Sequence, residues 1–330
     1  MSTFPVLQES EGEWTSDKTV EILGLRIPAY FVPDPQLLHD FITGFQTRPD
    51  DVFVVSYPKS GTTWVQEIVW QIYHNGEINS GKIEDRVPFV EEATNPKSTQ
   101  PDIKTLPSPR LLKTHLSYEA IPKAKNKDTS CKYIYIARNP KDAAVSSYKF
   151  MKSLGSSTGL NAPWEYYVKL FIEGKTMWSQ WSNHVLGWWE HKHDPNVLFL
   201  KYEDLQKVCA FKLCLPSVLQ WMTGCLLEHC ESSFTLDLDL LSNVRIIADF
   251  LNKPLPDDLA NLIAEQCTFK GMMKNVQSYL LRGKEDGPKL LQKGVVGNWK
   301  EHFTPELNER FEKEVMAKLK GSGLELDFEL

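Results

Sequence analysis

The apolar run Val52-Phe53-Val54-Val55 passes directly into Tyr57-Pro58-Lys59-Ser60-Gly61-Thr62-Thr63-Trp64, and a helical pattern opens near Thr62. A strand that feeds a turn of small and hydroxyl residues and then a helix is the repeating unit of layered α/β folds. Further strands are expected at Arg110–Lys113, Cys131–Ala137 and Val197–Tyr202, all continuous apolar or β-branched runs suited to a sheet covered on both faces. Between them, Val65, Ile68, Val69, Ile72 and Tyr73 recur at helical spacing. Thr304-Pro305-Glu306 reads as a cap, a first-turn proline and a first-turn acid opening a helix to about Leu319. Strands alternating with helices imply a central parallel, doubly wound sheet, and 330 residues could hold one large domain or two smaller ones.

The turn itself predicts chemistry. The N–H groups of a first helical turn have no partners within the helix, and the helix dipole there favours negative charge. Lys59 adds a cation where a phosphate would sit. The order of residues is not G-x-x-x-x-G-K-[ST], because the lysine precedes the single glycine. A P-loop kinase or ATPase is therefore disfavoured.

Composition narrows the partners. A net charge of −6 over 330 residues argues against a general binder of nucleic acid or anionic membrane, so an anionic ligand must be held by a few local cations. The apolar and charged fractions, 42% and 24%, are those of an ordinary globule and not of a disordered chain. Met1 to Gly12 has neither a basic start nor an apolar core, so no signal peptide is read there and a cytoplasmic location is expected. The six cysteines are then expected as thiols.

Further segments carry chemistry. Tyr133-Ile134-Tyr135-Ile136-Ala137 ends in Arg138, and Ser146 follows in the next helix. Ligands of open α/β sheets bind at the carboxyl ends of strands, so Arg138 is placed to clamp a phosphate. Leu111-Leu112-Lys113-Thr114-His115 ends a strand in a cation and an imidazole, a side chain that titrates in the range useful for proton transfer.

Tyr57 to Trp64 resembles the phosphosulfate-binding loop of the cytosolic sulfotransferases, which use 3′-phosphoadenosine 5′-phosphosulfate (PAPS) as donor. Arg138 to Ser146 is similar to that family's 3′-phosphate site, and Lys113-Thr114-His115 to its K-T-H element. The resemblance implies His115 as general base, with Lys59 and Lys113 as cations at the leaving and transferring groups. It implies a 5′-phosphate held by the loop with Ser60, Gly61, Thr62 and Thr63. Trp181 to Glu190, leading into Val197 to Leu205, resembles the family closely and brings Tyr202 to the nucleotide. Cys267-Thr268-Phe269-Lys270-Gly271-Met272 is similar to its adenine-contacting segment, in which Phe269 and Trp64 would sandwich a purine. Gln292-Lys293-Gly294-Val295-Val296-Gly297-Asn298-Trp299-Lys300 looks like its R-K-G-x-x-G-x-W-K loop, with Gln292 in place of arginine. Removing that cation is expected to weaken donor binding by about 1–3 kcal/mol.

Ser117 stands where many relatives carry proline. Lys300 to Glu309 resembles the family's dimerisation motif, with Pro305 in place of valine, and implies a homodimer. No metal is implied. The acceptor, a small phenol, alcohol, steroid or amine, is expected against Phe31, Phe89, Tyr148 to Phe150 and the loop before Gln292.

Residues 208–243 do not fit. In the family a strand like the one ending at Lys201-Tyr202-Glu203-Asp204-Leu205 is followed within a few residues by a helix like that from Val244. Here an extra segment intervenes, with Cys209, Cys214, Cys225 and Cys230. It lacks clean periodicity. A zinc site using His229, a membrane span from Val208 to Leu227 broken by Lys212, Pro216 and Gln220, and a lineage-specific surface loop are the weaker readings. The stronger one is an insertion from retained non-coding sequence or a misplaced gene boundary. The alternative function that follows is a non-catalytic nucleotide-binding relative, disabled by the insertion.

Overall fold

The computed structural model describes residues 4–124, 131–207, 238–281, 290–291 and 294–330. Nine strands lie within them: β1 (Val6–Leu7), β2 (Ser10–Glu11), β3 (Trp14–Thr15), β4 (Thr19–Ile22), β5 (Leu25–Pro28), β6 (Val52–Ser56), β7 (Leu111–Thr114), β8 (Lys132–Ala137) and β9 (Val197–Lys201). The helices are α1 (Pro35–Thr43), α2 (Thr62–Tyr73), α3 (Ile83–Arg86), α4 (Pro140–Ser153), α5 (Trp164–Ile172), α6 (Trp181–Glu190), α7 (Tyr202–Gln206), α8 (Leu238–Phe250), α9 (Asp257–Gln266), α10 (Phe269–Met273) and α11 (Pro305–Glu314).

The central sheet is parallel, in the order β7-β6-β8-β9. Because strand side chains alternate, each strand serves two cores. Phe53, Val55, Tyr133 and Tyr135 join one core, packed with α4, α5 and α6 residues such as Met151, Phe171 and Trp188. Val52, Val54, Ile134 and Ile136 join the other, with Val65, Ile68 and Val69 of α2, Val244 of α8 and Ile263 of α9. That double cover explains why the four strands read as unbroken apolar runs.

Three differences from expectation appear. The N-terminal residues form an antiparallel sheet, β1-β4-β5, and the small hairpin β2-β3. The last expected helix is capped by Thr304, which accepts the Leu307 N–H, but α11 stops at Glu314 and a 3-10 turn takes over from Met316 to Leu319. The helix expected from Val244 already begins at Leu238, so residues 238–243 of the anomalous segment are helical, and Leu240 is buried in the second core. The rest of that segment, with its four cysteines and the zinc reading, lies outside the described residues. Of the described cysteines, Cys131 and Cys267 are buried free thiols. Among the described residues no helix is long and apolar enough to cross a membrane.

Candidate active site

The carboxyl ends of all four central strands converge. Ser56 leads into the Tyr57–Gly61 turn, Thr114 into His115, Ala137 into Arg138 and Lys201 into Tyr202. The chain leaves β6 for β7 on one side and returns to β8 on the other, so the crevice opens where strand order reverses. A cavity of about 1080 Å³, its open mouth included, lies there.

The turn is bent into place. Gly61 caps α2 at φ +105°, and a Cβ there would lie 2.7 Å from the Tyr202 ring, so only glycine fits. Lys59 also sits at positive φ, +66°, a conformation held at a cost of order 1–3 kcal/mol. The Lys59 ammonium donates to Leu290 O at 3.2 Å and lies 4.3 Å from the centre of the Phe150 ring. Burial, with Lys113 and Arg138 nearby, pushes it down to about 7. Ser60 Oγ and Arg138 Nε are buried and have no hydrogen-bond partner among the described residues. With the open first turn of α2, these donors suit an anion.

His115 is fixed on every side. Its Nδ1 lies 2.8 Å from Ser56 O. A carbonyl can only accept, so Nδ1 carries the proton and Nε2 keeps its lone pair. The backbone N–H of His115 donates to Glu91 Oε1 at 2.6 Å. Its carbonyl accepts from His184 Nε2 at 2.9 Å, and Tyr135 Oη donates to the other nitrogen of His184 at 2.9 Å. Burial first, and Lys113 second, hold the His115 pKa well below the usual imidazole range. The ring is therefore a neutral base at neutral pH. Lys113 lies 3.9 Å from the centre of the Phe89 ring, and burial lowers its pKa too.

Arg138 donates to Lys59 O at 3.1 Å and Val295 O at 3.0 Å, and its guanidinium stands 4.4 Å from the Tyr202 ring centre. It thus ties the first turn to the C-terminal loop. Arg138, Ser146 and Gly294 line both the main cavity and an adjoining hollow that also touches Lys149.

Of the residues read from sequence, Lys59, Gly61, Thr63, Trp64, Lys113, His115, Arg138, Ser146, Tyr202, Phe269, Met272 and Gly294 line the cavity. Thr62 shares a 2.6 Å hydrogen bond with Ser56. Cys267 is buried and lends its carbonyl to Trp64 Nε1 at 2.7 Å, while Thr268 caps α10 through Gly271 N. Thr62, Cys267 and Thr268 thus brace the residues that line the cavity. Gln292 and Lys293 lie outside the described residues. Phe31, Phe89 and Phe150 line the cavity, whereas Tyr148 packs on Trp164 and Tyr167.

Sequence reasoning missed Glu84, Glu92, Met177 and Trp178 in the wall. Met177 and Trp178 had a signal only in three dimensions: Tyr57 Oη donates to Met177 O at 3.1 Å, binding that turn to the anion loop. Among the described residues no group of three or more His, Cys, Asp and Glu side chains could hold a metal ion.

A family model described as a sulfotransferase domain matches residues 49–212 and 235–323. The chain is 33% identical over 300 residues to Sulfotransferase 1C2 of Homo sapiens, covering 88% of this chain and 90% of the relative. It is 34% identical over 296 residues to the Amine sulfotransferase of Oryctolagus cuniculus, covering 87% and 86%. Among solved structures, a mouse sulfotransferase complexed with PAP superposes with a TM-score of 0.67 at 29% identity, covering 92% of this chain and 94% of that one. A retinol dehydratase in a complex with retinol and PAP shares the fold, with a TM-score of 0.71 at 24% identity over 98% and 93%.

Proposed function

The chain belongs to the sulfotransferase family, and on that premise we propose that it moves a sulfuryl group from PAPS to the hydroxyl or amine of a small acceptor. The observation that carries this is the pinned tautomer of His115, whose free Nε2 shares one cavity with Lys59, Lys113 and Arg138. The donor supplies an activated sulfuryl group on a phosphate leaving group. His115 takes the proton of the acceptor as its oxygen or nitrogen bonds to sulfur. Lys59 offsets the charge that grows on the phosphate oxygen as the sulfur–oxygen bond breaks, and Lys113 the charge on the transferring group. Ser60 and the first-turn N–H groups of α2 hold the 5′-phosphate, with Thr62 and Thr63 beside them. Arg138, Ser146 and the loop at Gln292 to Gly294 hold the 3′-phosphate, a subsite that separates a PAPS enzyme from an ATP enzyme. Trp64, Tyr202, Phe269 and Met272 face the nucleoside, on the frame set by Cys267 and Thr268.

A homodimer through Lys300 to Glu309 belongs to the same reading. Proline at the first position of α11 is compatible with the helix start, so Pro305 need not disrupt that segment.

Transfer of labelled sulfuryl to a panel of phenols, steroids and amines tests the function. The wild type is expected to form labelled product. His115→Gln should lose about 10²–10⁴-fold in turnover while still binding the product nucleotide, 3′-phosphoadenosine 5′-phosphate. Nucleotide binding without transfer to any acceptor would instead indicate the non-catalytic relative, and preference for ATP would overturn the reading.

A further inference from the structure

Two consecutive residues in the connection between α5 and α6 are wound against the preference of their side chains. Trp178 stands at φ +59° and Ser179 at +62°, a left-handed pair that glycine adopts freely and tryptophan rarely does. Backbone strain of this kind persists only where the surroundings over-determine it, and it clusters at working sites. Here the surroundings hold it from two directions. The buried Tyr57 Oη donates to Met177 O at 3.1 Å and to Ser179 O at 3.3 Å, one hydroxyl shared between the carbonyls of the residues flanking Trp178. From β5, Arg26 O accepts the Trp178 N–H at 2.7 Å, and Arg26 N donates to Ser179 Oγ at 3.0 Å. The Arg26 guanidinium donates to Lys175 O at 3.1 Å. The turn is thus pinned both by the first residue of the anion loop and by the N-terminal sheet.

What the strained turn delivers is an aromatic ring on the imidazole. The Trp178 ring lies 5.1 Å from the His115 ring, centre to centre, at an interplanar angle of 75°. Phe89 meets the same imidazole at 5.4 Å and 74°, and Phe31 packs on both Phe89 and Trp178. Trp178 is 2% exposed and His115 7%, although both line the cavity.

We propose that Trp178 is a positioning residue for the transfer reaction: the pinned turn sets its indole against His115, and this contact keeps water off the base. The role rests on the sulfuryl-transfer reading, in which His115 takes the acceptor proton. A ring shielded from water is disfavoured in its charged form, and burial is the first cause of the low His115 pKa. The charges around it are Lys113 on β7, Lys59 in the anion loop and His184 on α6, which push in the same direction. Glu91, in the 3-10 turn Val90–Glu92, accepts the His115 N–H. Truncating Trp178 removes none of these four groups, so a change in His115 titration reports the shielding by the indole.

NMR titration of the imidazoles in the free protein tests this without turnover, with His115 assigned among the eight histidines by its loss in His115→Gln. In the wild type its midpoint is expected well below the ordinary imidazole value. In Trp178→Ala the midpoint should rise by about one pH unit or more as water reaches the ring. Trp178→Phe, which keeps an aromatic ring, should stay near the wild type. Tyr57→Phe, which removes only the hydroxyl that holds the turn, should move the midpoint upward by less. Cooperative thermal melting shows which variants are folded. A midpoint unchanged in folded Trp178→Ala, or a wild type that titrates at the ordinary value, overturns the proposal. If Trp178→Ala does not fold, Tyr57→Phe decides in its place: an upward shift supports the proposal and no shift overturns it. Where an acceptor is turned over, the acid limb of kcat/KM must move with the midpoint, and a limb that stays in place counts against the proposal. Midpoints that move as expected without transfer to any acceptor uphold the shielding of His115, and that failure falls on the transfer reading alone.

Discussion

Lys59 is a half-buried cation with Lys113 and Arg138 for neighbours, and both effects disfavour its charge. Its pKa in the free protein, about 7, lies below the ordinary lysine value. The ammonium is therefore complete only below that pH and is lost as pH rises through it. A bound phosphate favours the charged form and pulls the pKa back up. Binding of 3′-phosphoadenosine 5′-phosphate above pH 7 should thus take up a proton, and affinity should fall by up to about tenfold per pH unit until the bound-state pKa is reached. Calorimetry in buffers of different ionisation enthalpy reads the proton directly. Lys59→Arg, whose guanidinium stays charged, should flatten the profile. Affinity that is flat with pH in the wild type would show that Lys59 does not meet the nucleotide. His115 shifts in the same direction from burial, which for a base is an advantage, because the lone pair is present throughout the neutral range.

At the scale of elements, one carboxylate holds the C-terminal loop against the sheet. Asp142, in the first turn of α4, accepts from Gly297 N and Trp299 N, each at 2.9 Å, and lies 3.8 Å from the Arg138 guanidinium. Asn139, the cap of α4, donates to the same carboxylate at 3.0 Å. Asp142→Asn leaves one oxygen for these N–H groups, so one loses its acceptor at a cost of about 1–3 kcal/mol. Faster amide exchange at Gly297 and Trp299, together with about ten- to hundredfold weaker product-nucleotide binding, is the expected result. Unchanged exchange would mean that the loop is held by other contacts.

What was legible in the sequence follows the same physics. Strands buried on both faces announce themselves as apolar runs, and residues just after them fall at the ligand edge; hence Lys59, His115 and Arg138 could be read directly. The N-terminal sheet was not legible because its strands are two to four residues long, too short for a periodic signal. Trp178 and the wall glutamates were not, because nothing local distinguishes a tryptophan or an acid that faces a cavity from one that faces the core or solvent.

For the whole molecule, the question is whether the segment between α7 and α8 belongs to the folding unit. The family match stops at residue 212 and resumes at 235. On either side the second core runs without a break: Leu205 of α7 joins Leu240, Val244, Ile247 and Ala248 of α8, with Leu200 and Ile68, in one buried cluster. Leu240 also limits how much can be removed, because a deletion that reached it would open the core. Replacing residues 209–236 by a short Gly-Ser linker should therefore preserve cooperative melting. Closing a shorter loop costs less chain entropy, and cutting about thirty residues to about five gains roughly 1–2 kcal/mol. The midpoint of thermal unfolding should hold or rise, and product-nucleotide binding should be retained, since Tyr202 stays anchored between Gly61 and Arg138. A shortened chain that melts without a cooperative transition, or that folds but no longer binds the nucleotide, would show that the segment contributes packing of its own.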